Sequence, residues 1–182
     1  MSIKIAICGK MGSGKTTLAN NIIINHPYFK KHSLAAGVKK FARFVYDIPE
    51  EKKDRVLFQK IGDGARNELF EDIWITTMLR QCGEDEYLIV DDVRYYNEVV
   101  KLKEQGWKLI KINISNELQE QRIKKTYPND WQTHLSSRNH NSETEMDTIP
   151  NDFFDLILEA KDDSSNDNKI NVFLISKSKN QS

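Results

Sequence analysis

The chain has 182 residues, 38% of them hydrophobic, and its 27 basic residues balance 27 acidic ones. That length and composition predict one globular domain with its own core, and zero net charge argues against a polynucleotide as the main partner. Cys8 and Cys82 make no metal pattern or disulfide framework, no apolar run approaches a membrane span, and the opening Met-Ser-Ile-Lys-Ile reads as strand rather than leader, so a cytoplasmic protein is expected.

Ile3 to Cys8 is a continuous apolar run, the pattern of a strand at the centre of a parallel sheet. It runs into Gly9-Lys-Met-Gly-Ser-Gly-Lys-Thr16, which matches the phosphate-binding P-loop: glycine, four residues, then Gly-Lys-Thr. Gly9, Met11, Gly12, Ser13, Gly14, Lys15, Thr16 and Thr17 are the expected phosphate-binding residues. Backbone N–H groups would curl around the anion and a helix N-terminus would add its positive end. Lys15 would reach the β- and γ-phosphates, and the Thr16 hydroxyl would bind Mg²⁺. A nucleoside triphosphate site is predicted, with ATP and Mg²⁺ as cofactors.

The first helix is predicted over Thr16 to Asn25, ended by His26-Pro27. His32 to Ala36 is a candidate second strand. Val38 to Tyr46 has helical spacing with Phe41, Phe44 and Val45 as its apolar side. Glu50 to Ile61 reads as helix, interrupted by Gly62 and Gly64, and Arg66 to Gln81 as the longest helix, closed by Gly83. Tyr87 to Val90 is a second buried strand, ending in Asp91-Asp92. A helix over Tyr96 to Gln105 stops at Gly106, and Trp107 to Asn113 returns as strand. Ser115 can cap a helix to about Lys125. Thr126 to Asn141 is polar and reads as a mobile loop. Ser142 and Glu145 have capping-box spacing, and Phe153 to Glu159 reads as a last core strand. Lys161 to Lys169 is low-complexity and polar. Ile170 to Ile175 is a candidate edge strand, and the final polar residues are expected to be disordered. Alternating strands and helices predict an α/β P-loop fold, with about five mainly parallel strands flanked by helices.

An apolar strand ending in aspartate is what a P-loop needs opposite Thr16. Asp91 and Asp92 compete for the metal-side role. Arg94 stands two residues beyond Asp92 at the same sheet edge, where a guanidinium meets phosphate.

With these segments in place, the chain resembles the deoxynucleoside monophosphate kinases of tailed bacteriophages and large DNA viruses. The likeness rests on the P-loop, Ser33-Leu-Ala-Ala-Gly-Val-Lys-Lys-Phe-Ala42, Leu57-Phe-Gln-Lys-Ile-Gly-Asp-Gly-Ala-Arg66 with Asp72-Ile-Trp74, and Asp92-Val-Arg-Tyr-Tyr-Asn-Glu98 with Gly106. The Ser142-Glu143 segment also fits. One departure is Thr16, where many phage enzymes carry aspartate. The resemblance implies a kinase domain over 1–160, with an acceptor-binding region at about 37–82 and a lid at about 124–142. The polar tail at 161–182 has no counterpart.

It also implies roles. Lys39 and Arg66 would hold the acceptor phosphate, and Gln59 and Trp74 would lie near its base or sugar. Asp92 would serve substrate and metal, and Arg94 would bridge to the transferred phosphoryl. Arg122, with Lys125, Arg138 or His140, would close over the donor, with Arg122 counted as catalytic and Arg138 as donor-binding. The implied reaction moves the γ-phosphoryl of ATP to a (deoxy)nucleoside monophosphate, in the host cytoplasm if the source is viral, and a homodimer is compatible with the family. The alternative is a small-metabolite P-loop kinase. A nucleotide switch stands further off, because Asn168-Lys-Ile-Asn171 lacks the aspartate of a guanine motif.

Overall fold

The computed structural model describes residues 2–50, 54–136, 138, 140–163 and 165–179. Five parallel strands form one sheet in the order β2-β3-β1-β4-β5: β1 Ile3–Cys8, β2 Lys30–His32, β3 Tyr87–Val93, β4 Lys108–Asn113 and β5 Leu156–Glu159. The helices are α1 Lys15–Asn25, α2 Ala35–Tyr46, α3 Arg55–Glu68, α4 Ile73–Cys82, α5 Tyr96–Glu104, α6 Asn116–Thr126, α7 Trp131–Ser136, α8 Asn141–Thr148 and α9 Ser165–Lys179. None is long and apolar enough to cross a membrane among the described residues.

Period-two alternation divides the sheet residues between two cores. Ala6, Cys8, Leu88, Val90 and Leu109 face α4, α5 and α8 through Ile75, Met78, Val99, Leu102 and Met146. Ile5, Ile7, Ile89, Ile110 and Ile112 face α1 through Leu18 and Ile22, and α9 through Ile170, Phe173 and Leu174. Both faces are covered, as a parallel sheet requires. Central β1 delivers the Gly9–Thr16 loop to the strands' carboxyl edge, next to the end of β3.

Several sequence expectations change. The second strand is Lys30–His32; Leu34 and Ala35 instead open α2. Phe41, Phe44 and Val45 are exposed on α2, while Val38 and Ala42 are its buried side. The inner face is small because it packs tightly: a Cβ on Gly37 would stand 3.0 Å from the Trp74 ring. α3 starts after Asp54, whose side chain caps Leu57 N, and runs through both glycines. Tertiary packing holds that stretch, since the Gly62 carbonyl accepts the Trp74 indole N–H at 3.0 Å. The long helix expected from Arg66 is therefore two, parted at 69–72.

The polar stretch after Thr126 contains α7, held by His134 stacked on Tyr127 at 3.7 Å and by Lys124 over Trp131 at 4.7 Å. The Ser142 side chain lies outside the described residues, but its backbone is already inside α8, and Glu145 accepts from Tyr96 N at 2.6 Å. Residues 170–175 belong to α9, not an edge strand. Ile170, Phe173 and Leu174 are spaced three and four apart, a helical stripe, and burying them stabilises by at most roughly 1.5–3 kcal/mol each. Of the final polar residues, expected to be disordered, 176–179 belong to α9 and 180–182 lie outside the described set.

Candidate active site

The P-loop wall is made of backbone. Gly9 has φ 145°, and a Cβ there would stand 2.6 Å from the Ile112 carbonyl oxygen, so only glycine fits between the loop and β4. Gly14, at φ 99°, opens α1 with no side-chain cap and no acidic residue in the first turn. The leading N–H groups of α1 are thus left for a ligand. Ser13 is buried, and its Oγ has no hydrogen-bond partner among the described residues. An orphaned hydroxyl inside an N–H-rich loop is the mark of an anion cradle.

Lys15 is buried within this loop and donates to the Lys10 carbonyl at 2.7 Å. Burial first, and the Arg94 cation second, pull its ammonium from 10.5 down to about 7; Glu143 and Asp91 oppose the shift. A phosphate would add negative charge here and restore the protonated form.

The cradle opens into a cleft of about 1190 Å³ lined by Met11 to Leu18 and, across from them, by Lys31, Lys39, Asp91, Asp92, Arg94, Arg122 and Lys125. β3 pairs Ala6 with Val90 but Cys8 with Val93, so it carries an extra residue at the two aspartates. Such a bulge re-aims side chains. Asp91 pairs with Lys31 at 2.8 Å. Asp92 turns to α2, where its carboxylate accepts from Ser33 Oγ (2.6 Å), Leu34 N (2.9 Å) and Ala35 N (3.0 Å). With both oxygens engaged, Asp92 is a helix cap, which corrects its expected metal role; Asp91 keeps one oxygen without such a partner among the described residues. Among the described residues no group of three or more His, Cys, Asp or Glu side chains could hold a metal. Exposed Thr16 lines the cleft, so a hard cation fits here only with oxygens of a bound phosphate completing its shell.

Arg94 is gripped through Nη1 by Glu143, whose second oxygen accepts Met11 N at 2.7 Å. Arg122 also lines the cleft, but as a strap: Nη1 donates to Gly12 O at 2.8 Å, and Nη2 to Lys161 O at 2.8 Å and Asp162 Oδ1 at 2.6 Å. It ties the P-loop to the segment before α9 rather than presenting an open guanidinium. Gln59, Arg66, Trp74, Arg138 and His140 are not among the lining residues. Arg66 bonds Glu98 at 2.9 Å and lies over the Tyr95 ring at 4.1 Å. Burial pushes the Glu98 carboxyl up, and Arg66 opposes this. Trp74 is core, and half-buried Gln59 sits on α3. Arg138 Nη2 donates to Asn116 O at 2.9 Å, at the start of α6. His140 meets Asp63 of α3 at 3.1 Å.

Lys31 and Glu143 are participants that sequence reading left without roles. Glu143 stood in a quoted segment, but nothing near it in sequence signals Arg94, 49 positions away.

No protein-family model matches the chain, and no curated protein matches its sequence. Solved structures do match. TT1252 from Thermus thermophilus shares 14% identity over 97% of each chain, with a TM-score of 0.62. A shikimate kinase from Bacteroides thetaiotaomicron shares 16% over 88% of each chain, with a TM-score of 0.55. A gluconokinase from Sinorhizobium meliloti 1021 shares 14%, covers 89% of this chain and 85% of its own, and has a TM-score of 0.53. At these identities the likeness is one of fold alone: the chain has an α/β P-loop NTPase fold.

Proposed function

We propose that the chain is an ATP- and Mg²⁺-dependent phosphotransferase acting on a small anionic acceptor. One observation carries this: the anion cradle at Gly9–Thr16 opens into the same cleft as Arg94 and Lys39, so two phosphate-binding walls face one volume. Donor phosphates would sit on the P-loop N–H groups and Lys15. Mg²⁺, which Thr16 and Asp91 would hold, would neutralise charge on the donor phosphates. Arg94 would face the transferring group, and Lys39 would draw in the acceptor. An acceptor oxygen attacks the γ-phosphorus, the bond to the β–γ bridging oxygen breaks, and ADP leaves. No His-centred base is needed if the acceptor is itself an ionised phosphate; alignment and charge neutralisation then supply the catalysis.

For the acceptor, the residue segments support a (deoxy)nucleoside monophosphate of the phage and large-virus type. The solved neighbours better support the small-metabolite alternative, being a gluconokinase and shikimate kinases by name. In either case the kinase unit would run past residue 160 to include α9, which covers one face of the sheet, with an acceptor region at about 37–82 and a lid at about 124–142. Cytoplasmic location and a homodimer rest on the sequence reading. Incubation with ATP, Mg²⁺ and each (deoxy)nucleoside monophosphate, sugar acid and hydroxy acid in turn, with ADP detection, tests both. Turnover with a nucleotide alone selects the first reading, turnover with a metabolite alone selects the second, and no acceptor-dependent ADP sinks the phosphotransferase.

A further inference from the structure

α8 makes a run of bonds to the P-loop and to the segment after β3. Asp147 pairs with Lys10 at 2.6 Å, Glu145 takes Tyr96 N, and Glu143 bonds both Met11 N and Arg94. Of these carboxylates only Glu143 is fully enclosed, at 1% exposure. A carboxylate buried that deeply persists only where charge and hydrogen bonds compensate it. Its two partners are the third residue of the P-loop and the arginine of the opposite wall.

We infer that Glu143 is the positioning residue of the phosphoryl-transfer centre, fixing Arg94 and the P-loop in one mutual geometry. This rests on the phosphotransferase reading and assigns a role that reading leaves open. Glu143 takes Nη1 of Arg94, and no described residue bonds Nε or Nη2, while the side chain lines the cleft. The guanidinium is therefore held along one edge with its other donors available to an incoming oxygen. A guanidinium so held has lost its rotamer freedom before the ligand arrives, which is what makes alignment effective.

The test compares Glu143→Gln with wild type, Arg94→Ala, the Arg94→Ala/Glu143→Gln double variant and Glu145→Gln as an α8 control. Glutamine keeps an acceptor for Met11 N and removes the charge. The expected result is a fall in kcat of about 10²-fold with donor KM nearly unchanged, and circular dichroism and thermal midpoint close to wild type. The double variant should be no slower than Arg94→Ala alone, since Glu143 acts through Arg94, and Glu145→Gln should keep the wild-type kcat. A second readout needs no turnover. A non-hydrolysable ATP analogue should bind Glu143→Gln nearly as tightly as wild type, because the P-loop N–H groups and Lys15 hold the donor in both, and lost binding in Glu143→Gln would mean that the residue only props the loop.

Wild-type kcat in Glu143→Gln, or a loss that multiplies with that of Arg94→Ala, overturns the inference while leaving the phosphotransferase intact. Should wild type bind the analogue yet phosphorylate nothing, the functional reading fails and the inference, which rests on it, fails with it. Absence of analogue binding to wild type overturns both.

Discussion

The two walls of the cleft are held by different means. On one side, Gly9 to Thr16 is shaped by positive-φ glycines and uncapped helix N–H groups, with Lys15 folded back onto its own loop. On the other, each charged group is set by a partner far off in sequence: Arg94 by Glu143, Asp91 by Lys31, Asp92 by the first turn of α2. The first wall takes its shape from its own eight residues and a neighbouring strand, with Glu143 and Arg122 bracing Met11 and Gly12 from outside. The second needs the whole fold. A backbone wall binds any phosphate of the right shape, whereas a wall of oriented charges decides what is done with it.

If that division holds, substitutions on the first wall destroy binding and those on the second slow transfer. Gly9→Ala carries the largest expected effect. Its methyl would meet the Ile112 carbonyl at 2.6 Å with φ at 145°, costing at least about 2 kcal/mol and abolishing triphosphate binding, as thermal unfolding and calorimetry would register. Retained binding in a folded Gly9→Ala would break the comparison. Lys15→Ala should lower kcat/KM by about 10²–10³-fold or more without loss of thermal stability, because a buried cation is removed.

Arg94→Ala is less clean. It should slow turnover to a similar degree, but it strands Glu143 at 1% exposure. Because Arg94 is itself 28% exposed, the stability cost should be about 1–3 kcal/mol, readable as a lower denaturant midpoint. Arg94→Ala/Glu143→Gln should recover part of that loss but none of the turnover.

Much of the first wall is readable from the sequence because its causes are local. Strand, glycines, lysine and helix stand in order between Ile3 and Asn25, and the structure repeats them nearly residue for residue. The second wall is opaque for the opposite reason. Asp92 looks like a metal ligand until α2 is seen to begin at Ala35, and Arg122 looks like a free lid arginine until Asp162 is seen beside it. Arg66 and Trp74 carry the right chemistry for an acceptor site, yet Glu98 and Gly62 claim their polar groups here. Local pattern also misled where packing overrode it. Gly62 and Gly64 suggested a break inside α3, and Phe41, Phe44 and Val45 suggested a buried face. The stripe at Ile170, Phe173 and Leu174 did signal a helix, hidden by the polar residues around it.

Acidity offers a finer test of the same contrast. Lys15 sits near pKa 7 in the free protein against an ordinary 10.5. Between those values the unfolded chain holds more protons than the folded one, so stability of the unliganded protein should rise with pH across this window. Triphosphate binding should run the other way. It takes up a proton above about pH 7 and weakens as pH climbs, which calorimetry in buffers of differing ionisation enthalpy would reveal. Binding that ignores pH from 7 to 9 would mean Lys15 keeps its charge unaided.

The smallest effect is Gly64→Ala. Nothing lies within 4 Å of the added methyl, and the position is helical, so a gain of about 0.5–1 kcal/mol in chemical denaturation is expected, with turnover unchanged if α3 acts only as scaffold.

The clasp of Asp92 on Ser33, Leu34 and Ala35 has a mechanical consequence. Three hydrogen bonds to one carboxylate join the end of β3 to the first turn of α2. Arg94 lies two residues beyond that joint on one side, and Lys39 about one turn into the helix on the other. The two cations therefore ride on a single crank. If α2 tilts, the torque passes through Asp92 to the strand end that carries Arg94, and the two cations lining the cleft turn together.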